Sequence, residues 1–125
     1  AGIGLLMYRL DLKIRLHNGG DVAIGPGKAD LLEAIRQQGS ISAAARALGM
    51  SYRRAWLLVE TMNRSFKQPL VSTLAGGKHG GGTQLTETGE QVLQRYRALC
   101  AQALAAVQGG CDELAELLAE PAAEG

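Results

Sequence analysis

The stretch "SISAAARALGMSYRRAWLLVETMNRSF", residues 40 to 66, constrains the fold of this chain more than any other. Ser40 is a natural cap for a helix over 41–48. Gly49 ends that helix, because glycine takes the left-handed conformation of a helix terminus without a steric penalty. Ser51 then caps a second helix. The first helix is short and rich in alanine, which lets a neighbour approach closely. In the second, Ala55, Leu58, Val59, Met62 and Phe66 recur at helical spacing and predict a core-facing stripe. At 100° per residue, Arg53, Leu57, Glu60 and Arg64 fall on the opposite face.

Other elements are predicted on either side of this pair. Tyr8, Leu10, Leu12, Ile14 and Leu16 alternate with charged residues, a period-two pattern that predicts a half-buried strand. "HNGGD" (17–21) is a turn, and "VAIG" pairs back on the strand. Residues 27–38 read as a helix with Leu31, Leu32 and Ile35 on one face and Gly39 at its end. After Pro69, "LVSTL" (70–74) and "TQLT" (83–86) read as two strands. Thr86 caps a long final helix with Glu87 and Glu90 near its positive end. Val92, Leu93, Tyr96, Leu99, Cys100, Ala103 and Val107 form one stripe on that helix. Gly109-Gly110 is expected to interrupt it before "CDELAELL" resumes.

Two short helices joined at Gly49, the second with a basic outward face, make a helix-turn-helix pattern. The first helix braces the second, whose N-terminal residues enter the major groove of duplex DNA. Ser51, Tyr52, Arg53, Arg54 and Trp56 lie at the start of that helix. Arginine suits guanine edges or phosphate, and tyrosine a phosphate oxygen. Leu57 reads either as a contact to a thymine methyl or as an ordinary exposed leucine, and Trp56 either as a DNA contact or as packing on the helix flank. Arg64 adds a cation further along.

The glycine-rich segment "AGGKHGGGTQLT" (75–86) is open to three readings: a phosphate cradle, the tip of a hairpin, or a linker. The cradle fails in detail. A phosphate-binding loop needs G-x-x-x-x-G-K-[ST], but Ser72 stands where its first glycine belongs and His79 where its Ser/Thr belongs. A two-stranded ribbon after a helix-turn-helix is a wing, and this segment becomes its tip. Lys78 and His79 supply charge and donors there, while Gly80 and Gly81 allow close backbone approach. The expected fold class is therefore mainly α with small β elements: a winged helix-turn-helix over residues 1–86 with an N-terminal β-hairpin, and a long C-terminal helical dimerisation segment over 87–125.

Charge distribution agrees with this division. Through residue 86 there are 11 Lys/Arg against 5 Asp/Glu; from 87 onward there are 2 against 7. The basic part suits a polyanion. No run approaches the ~18 apolar residues of a membrane span, and a cytoplasmic protein is expected. Cys100 and Cys111 are isolated thiols, and with His17 and His79 they lack metal-ligand spacing. Carboxylate pairs, nucleophile–base spacing and complete cofactor motifs are absent, so neither catalysis, metal nor cofactor is expected. The competing reading is a protein-interaction module that acts through the C-terminal helix without binding DNA.

"GSISAAARALGMSYRRAW", "GGKHGGG" and "LTETGEQVLQRY" together resemble the N-terminal DNA-binding domain of ModE-type, molybdate-responsive transcription regulators, over roughly residues 3 to 108. LysR-type regulators share the "GS…AAA…L" and "LTE.GE" phrasing. The resemblance implies a winged helix-turn-helix that binds promoters as a homodimer, with the N-terminal strand region and the long helix forming the dimer. Molybdate-sensing members hold the anion in a separate C-terminal module. The tail "CDELAELLAEPAAEG" is too short for one, so molybdate binding is not expected of this chain, which reads as a short member or a fragment.

Overall fold

A computed structural model of the chain describes residues 8–74 and 82–121. Two antiparallel strand pairs and four helices follow one another: β1 (Leu16–Asn18), β2 (Asp21–Ile24), α1 (Pro26–Gln38), α2 (Ile41–Leu48), α3 (Tyr52–Ser65), β3 (Val71–Thr73), β4 (Thr83–Leu85) and α4 (Glu87–Ala115). β1 pairs with β2 and β3 with β4. This is the expected winged helix-turn-helix, with a hairpin before it and a long helix after it.

The helix boundaries lie where local chemistry put them. Pro26 opens α1, where its missing N–H would have had no partner anyway. Gly39 closes it at φ 75°, and Gly49 closes α2 at φ 70°. Ser40 Oγ accepts from the Ala43 N–H at 3.0 Å, Ser51 Oγ from Arg54 N–H at 3.1 Å, and Thr86 Oγ1 from Gly89 N–H at 2.9 Å. Each of these hydroxyls satisfies one of the orphan donors of a helix start.

One core joins all the helices. Leu31, Leu32 and Ile35 of α1, Ala44 and Ala45 of α2, Ala55, Val59 and Met62 of α3, Leu70, Val71, and Leu93 and Tyr96 of α4 form a single buried cluster. The alanines let α2, α1 and α3 close on one another. Leu31, Leu32, Ile35, Met62 and Leu70 are the largest fully buried side chains, and burying each is worth about 1.5–3 kcal/mol.

Two sequence expectations are corrected. The strand expected over residues 8–16 is reduced to Leu16–Asn18. Among the described residues, 8–15 have no strand to pair with, and they lie against α4 instead. Tyr96 Oη donates to the Ile14 carbonyl at 2.8 Å. Tyr8 Oη donates to the Asp112 carboxylate and accepts from Gln108 Nε2. That bond to Asp112 pushes the Tyr8 phenol up to about 12. Leu16, expected to be half-buried, is exposed. The second correction is at Gly109-Gly110. α4 runs through both without interruption. Two glycines in mid-helix cost about 1 kcal/mol each against alanine, and neither adopts a positive φ.

The start of α4 crosses the chain entering the wing. Thr86 N–H donates to the Leu70 carbonyl at 2.9 Å, and Thr86 Oγ1 donates to the Pro69 carbonyl at 2.7 Å. A Cβ added at Gly89 would collide with the Leu70 carbonyl oxygen and lie 3.0 Å from its carbonyl carbon. Gly89→Ala is therefore expected to destabilise the fold by about 3 kcal/mol through overpacking against backbone. A Cβ at Gly109 meets nothing within 4 Å, so Gly109→Ala should stabilise by about 0.5–1 kcal/mol. Urea unfolding of the two variants checks both signs.

Candidate nucleic-acid interface

The first turn of α3 gathers the candidate residues. Ser51, Tyr52, Arg53 and Arg54 are all exposed there, and Trp56 and Leu57 follow on the next turn, 44% and 42% exposed. The turn from α2 fixes this presentation. The Met50 N–H donates to the Ala45 carbonyl at 3.0 Å and Gly49 N–H to the Arg46 carbonyl at 3.2 Å. Buried Ala55 and Val59 hold α3 on the core, leaving its opposite side outward.

Electrostatics separate the arginines. Among the described residues, neither Arg53 nor Arg54 has a carboxylate partner. Arg64 differs, lying 3.4 Å from Asp21 and 3.8 Å from Glu60. It also sits about 16 Å further along the helix axis than Arg53. Its charge is compensated, and it ties α3 to the hairpin, helped by Asn18 Nδ2 donating to the Ser65 carbonyl at 2.8 Å. Lys28 on α1 is a further cation near the site. Its pKa is lowered by burial and, more weakly, by the Arg54 guanidinium, while Asp21 opposes both.

The wing lies beside α3. β3 and β4 pair in register, Val71 with Leu85, Ser72 with Gln84 and Thr73 with Thr83. The Leu74 N–H donates to the Gly82 carbonyl at 2.7 Å, the last described rung. The Thr83 N–H donates to the Gly39 carbonyl at 2.9 Å, fastening the ribbon to the α1–α2 turn. Lys78, His79, Gly80 and Gly81 lie outside the described residues. An open cleft of about 540 Å³ separates α3 from the ribbon, with Trp56, Glu60 and Asn63 on one wall and Ser72 and Thr73 on the other.

Residues 28–90 match the family model of the bacterial regulatory helix-turn-helix proteins, lysR family. The chain belongs to that family. The matched span begins in the first turn of α1 and ends in the first turn of α4, so it takes in both helices of the motif and the whole ribbon. The chain is also similar to the molybdenum transport protein ModE of Azotobacter vinelandii, 42% identical over 104 residues that cover 80% of this chain and 37% of that protein. It is 46% identical over 76 residues to the molybdenum-pterin-binding protein MopB of Rhodobacter capsulatus, covering 61% of this chain and 28% of that one. With the DNA-binding transcriptional dual regulator ModE of Escherichia coli it shares 40% over 74 residues, covering 59% and 28%. The chain thus spans well under half the length of the curated relatives it matches.

Sequence reasoning misses the roles of two residues that shape this domain. Gly89 is part of the shared "LTE.GE" phrasing, but only its close approach to Leu70 gives the reason. Asn63, between the stripe residue Met62 and the outward Arg64, is the last residue of the family-like segment "GSIS…AW…MN", and the sequence assigns it no role. Its side-chain amide binds the entry to β3 through three hydrogen bonds, one to Leu70 and two to Val71. Besides that likeness, the local signal is a weak helix former in the last full turn of α3. Among the described residues, no group of three or more His, Cys, Asp or Glu is placed to hold a metal ion, and no helix is long and apolar enough to cross a membrane.

Ser51 sets the start of α3, and with it the aim of Tyr52, Arg53 and Arg54. Ser51→Ala is expected to cost about 1 kcal/mol of stability, read as a lower urea midpoint with an unchanged slope.

Proposed function

We propose that this chain binds duplex DNA as a homodimer in a ModE-type transcription regulator, with α3 in the major groove and the 75–82 wing tip on the backbone or minor groove. The observation that carries the reading is the capped, exposed first turn of α3, whose two arginines have no carboxylate partner among the described residues. Membership of a regulatory helix-turn-helix family supports it, as does the name of the Escherichia coli relative. The molybdenum in the relatives' names belongs to those longer proteins; the proposal for this chain concerns DNA. A cytoplasmic place of work follows from a DNA target.

Roles divide by geometry. Arg53 faces straight outward and reads a base edge, and Arg54, on the flank towards Lys28, serves a phosphate. Ser51 and Tyr52 stand beside them for the backbone, and Trp56 and Leu57 offer apolar contact to sugar or a thymine methyl. Arg64 contributes least, since binding DNA there means giving up Asp21 and Glu60. Lys78, His79, Gly80 and Gly81 make a sequence-independent backbone contact.

The dimer reading rests on α4. Leu93 and Tyr96 are buried within the domain, but Leu99, Leu104, Val107 and Leu114 further along are exposed. A second copy of the helix covers such a stripe. Sedimentation at micromolar concentration is expected to give twice 13.1 kDa; a monomer there refutes the dimer.

Selection from random duplexes should return a site with two-fold symmetry and half-sites ~34–36 Å, or a multiple of it, apart. Arg53→Ala should cost about 1–3 kcal/mol and relax specificity at one position per half-site. Lys78→Ala should weaken all duplexes about equally and make the salt dependence shallower by about 1 for each phosphate it no longer neutralises. A changed base preference for Lys78→Ala together with none for Arg53→Ala or Arg54→Ala would reverse these assignments.

A further inference from the structure

We infer that Asn63 is the positioning residue that registers the wing against the recognition helix, so that α3 and β3 meet the DNA backbone as one unit. The inference rests on the DNA-binding reading above and adds to it a residue that reaches DNA only through others.

Asn63 Oδ1 accepts from the Leu70 N–H at 2.9 Å and from the Val71 N–H at 3.1 Å. Asn63 Nδ2 donates to the Val71 carbonyl at 3.2 Å. One side-chain amide thus presents an acceptor and a donor to the strand, as the peptide of a neighbouring strand would. The phase of the ribbon makes this specific. On the β4 side, the Leu70 carbonyl accepts from Thr86 and the Leu74 N–H donates to Gly82. Val71 alternates with these, and its polar groups point to the outer edge of the ribbon. That edge would otherwise be open to solvent or to another strand; Asn63 closes it.

Register follows. A slip of β3 by one residue would bring Ser72, whose polar groups face β4, into the place of Val71 and break the two bonds that Val71 makes with the amide. An apolar side chain at position 63 could fill the same volume without choosing a register. The consequence reaches the cleft, because Ser72 and Thr73 follow directly on the clamped residues and stand across it from Trp56 and Glu60. Asn63 therefore sets how far the ribbon stands from α3, and where the wing meets a backbone that α3 has already engaged.

The test uses the intact chain on duplexes selected by the unaltered protein. Hydroxyl-radical protection reports the backbone, methylation interference reports guanine N7 in the major groove, and a salt series counts the phosphates neutralised. For Asn63→Ala, compared at equal folded fraction by circular dichroism, affinity is expected to fall roughly tenfold and the salt slope to drop by about 0.9 for each phosphate the wing no longer reaches. Backbone protection flanking each half-site should disappear while guanine interference inside it persists. A purely structural role would lower both signals together, or leave both unchanged once the folded fraction is matched, and either result overturns the inference. Where Asn63→Ala folds too poorly, Asn63→Asp keeps both bonds accepted by Oδ1 and loses the one donated to Val71. It should show the same selective loss of flanking protection, and a uniform loss again overturns the inference. Failure of the unaltered chain to protect any duplex overturns the DNA-binding reading itself, and the inference with it.

Discussion

The chain between α3 and the wing is held at Leu70, and the rest of the arrangement depends on that residue. Its side chain is fully buried in the core. Its N–H goes to Asn63 on α3, and its carbonyl accepts from Thr86 at the start of α4. Gly89 passes so close over that carbonyl that no other residue type fits. α3, ribbon and long helix are thereby fixed to one residue, through the two peptide groups that flank it. Hydrogen bonds of this kind are worth about 1 kcal/mol each, but a buried group left without its partner costs more, so the junction holds or fails as a whole.

Ion pairs contribute less to this framework. Arg97 bridges Asp30 at 3.0 Å and Glu33 at 3.3 Å, and Arg36 meets Glu90 at 3.4 Å, joining α1 to α4. All are substantially exposed, where such pairs add about 0–1 kcal/mol. Their value lies in alignment. They consume the carboxylates of Asp30, Glu33 and Glu90, and Arg53 and Arg54 stay uncompensated among the described residues. Tyr96 belongs to the same framework: burial first, and then its contact with Cys100, pushes its phenol up to about 12, and the neutral hydroxyl holds Ile14.

The candidate interface was legible in part. Ser51, Tyr52, Arg53 and Arg54 follow from a cap and a 100° repeat, both local in sequence, and the structure exposes them together. Arg64 satisfied the same angular rule, yet it meets Asp21, a partner far away in sequence that no periodicity reveals. The roles of Asn63 and Gly89 stayed hidden for the same reason, since they are defined by Leu70 and not by neighbours on their own helices. The expected strand over 8–15 failed because alternation shows a segment suited to pairing but cannot supply its partner. Gly109-Gly110 failed in the opposite sense. α4 is 29 residues long, and glycine weakens a helix by an amount that its many other residues outweigh.

Caps, turn glycines and apolar periodicity by themselves determined the order of the elements, the break at Gly49, the outward basic face of α3 and the two-stranded ribbon after it. These are properties of a few adjacent residues, whose hydrogen bonds and side-chain directions are settled within one or two turns. Only the tertiary structure decided which arginines stay unpaired among the described residues, that residues 8–15 lie along α4, and how the ribbon stands relative to α3. Each of those depends on groups far apart in sequence that come within about 3 Å of one another once the core around Leu31, Met62 and Leu70 has closed, a distance at which hydrogen bonds and charges act and which no local pattern encodes.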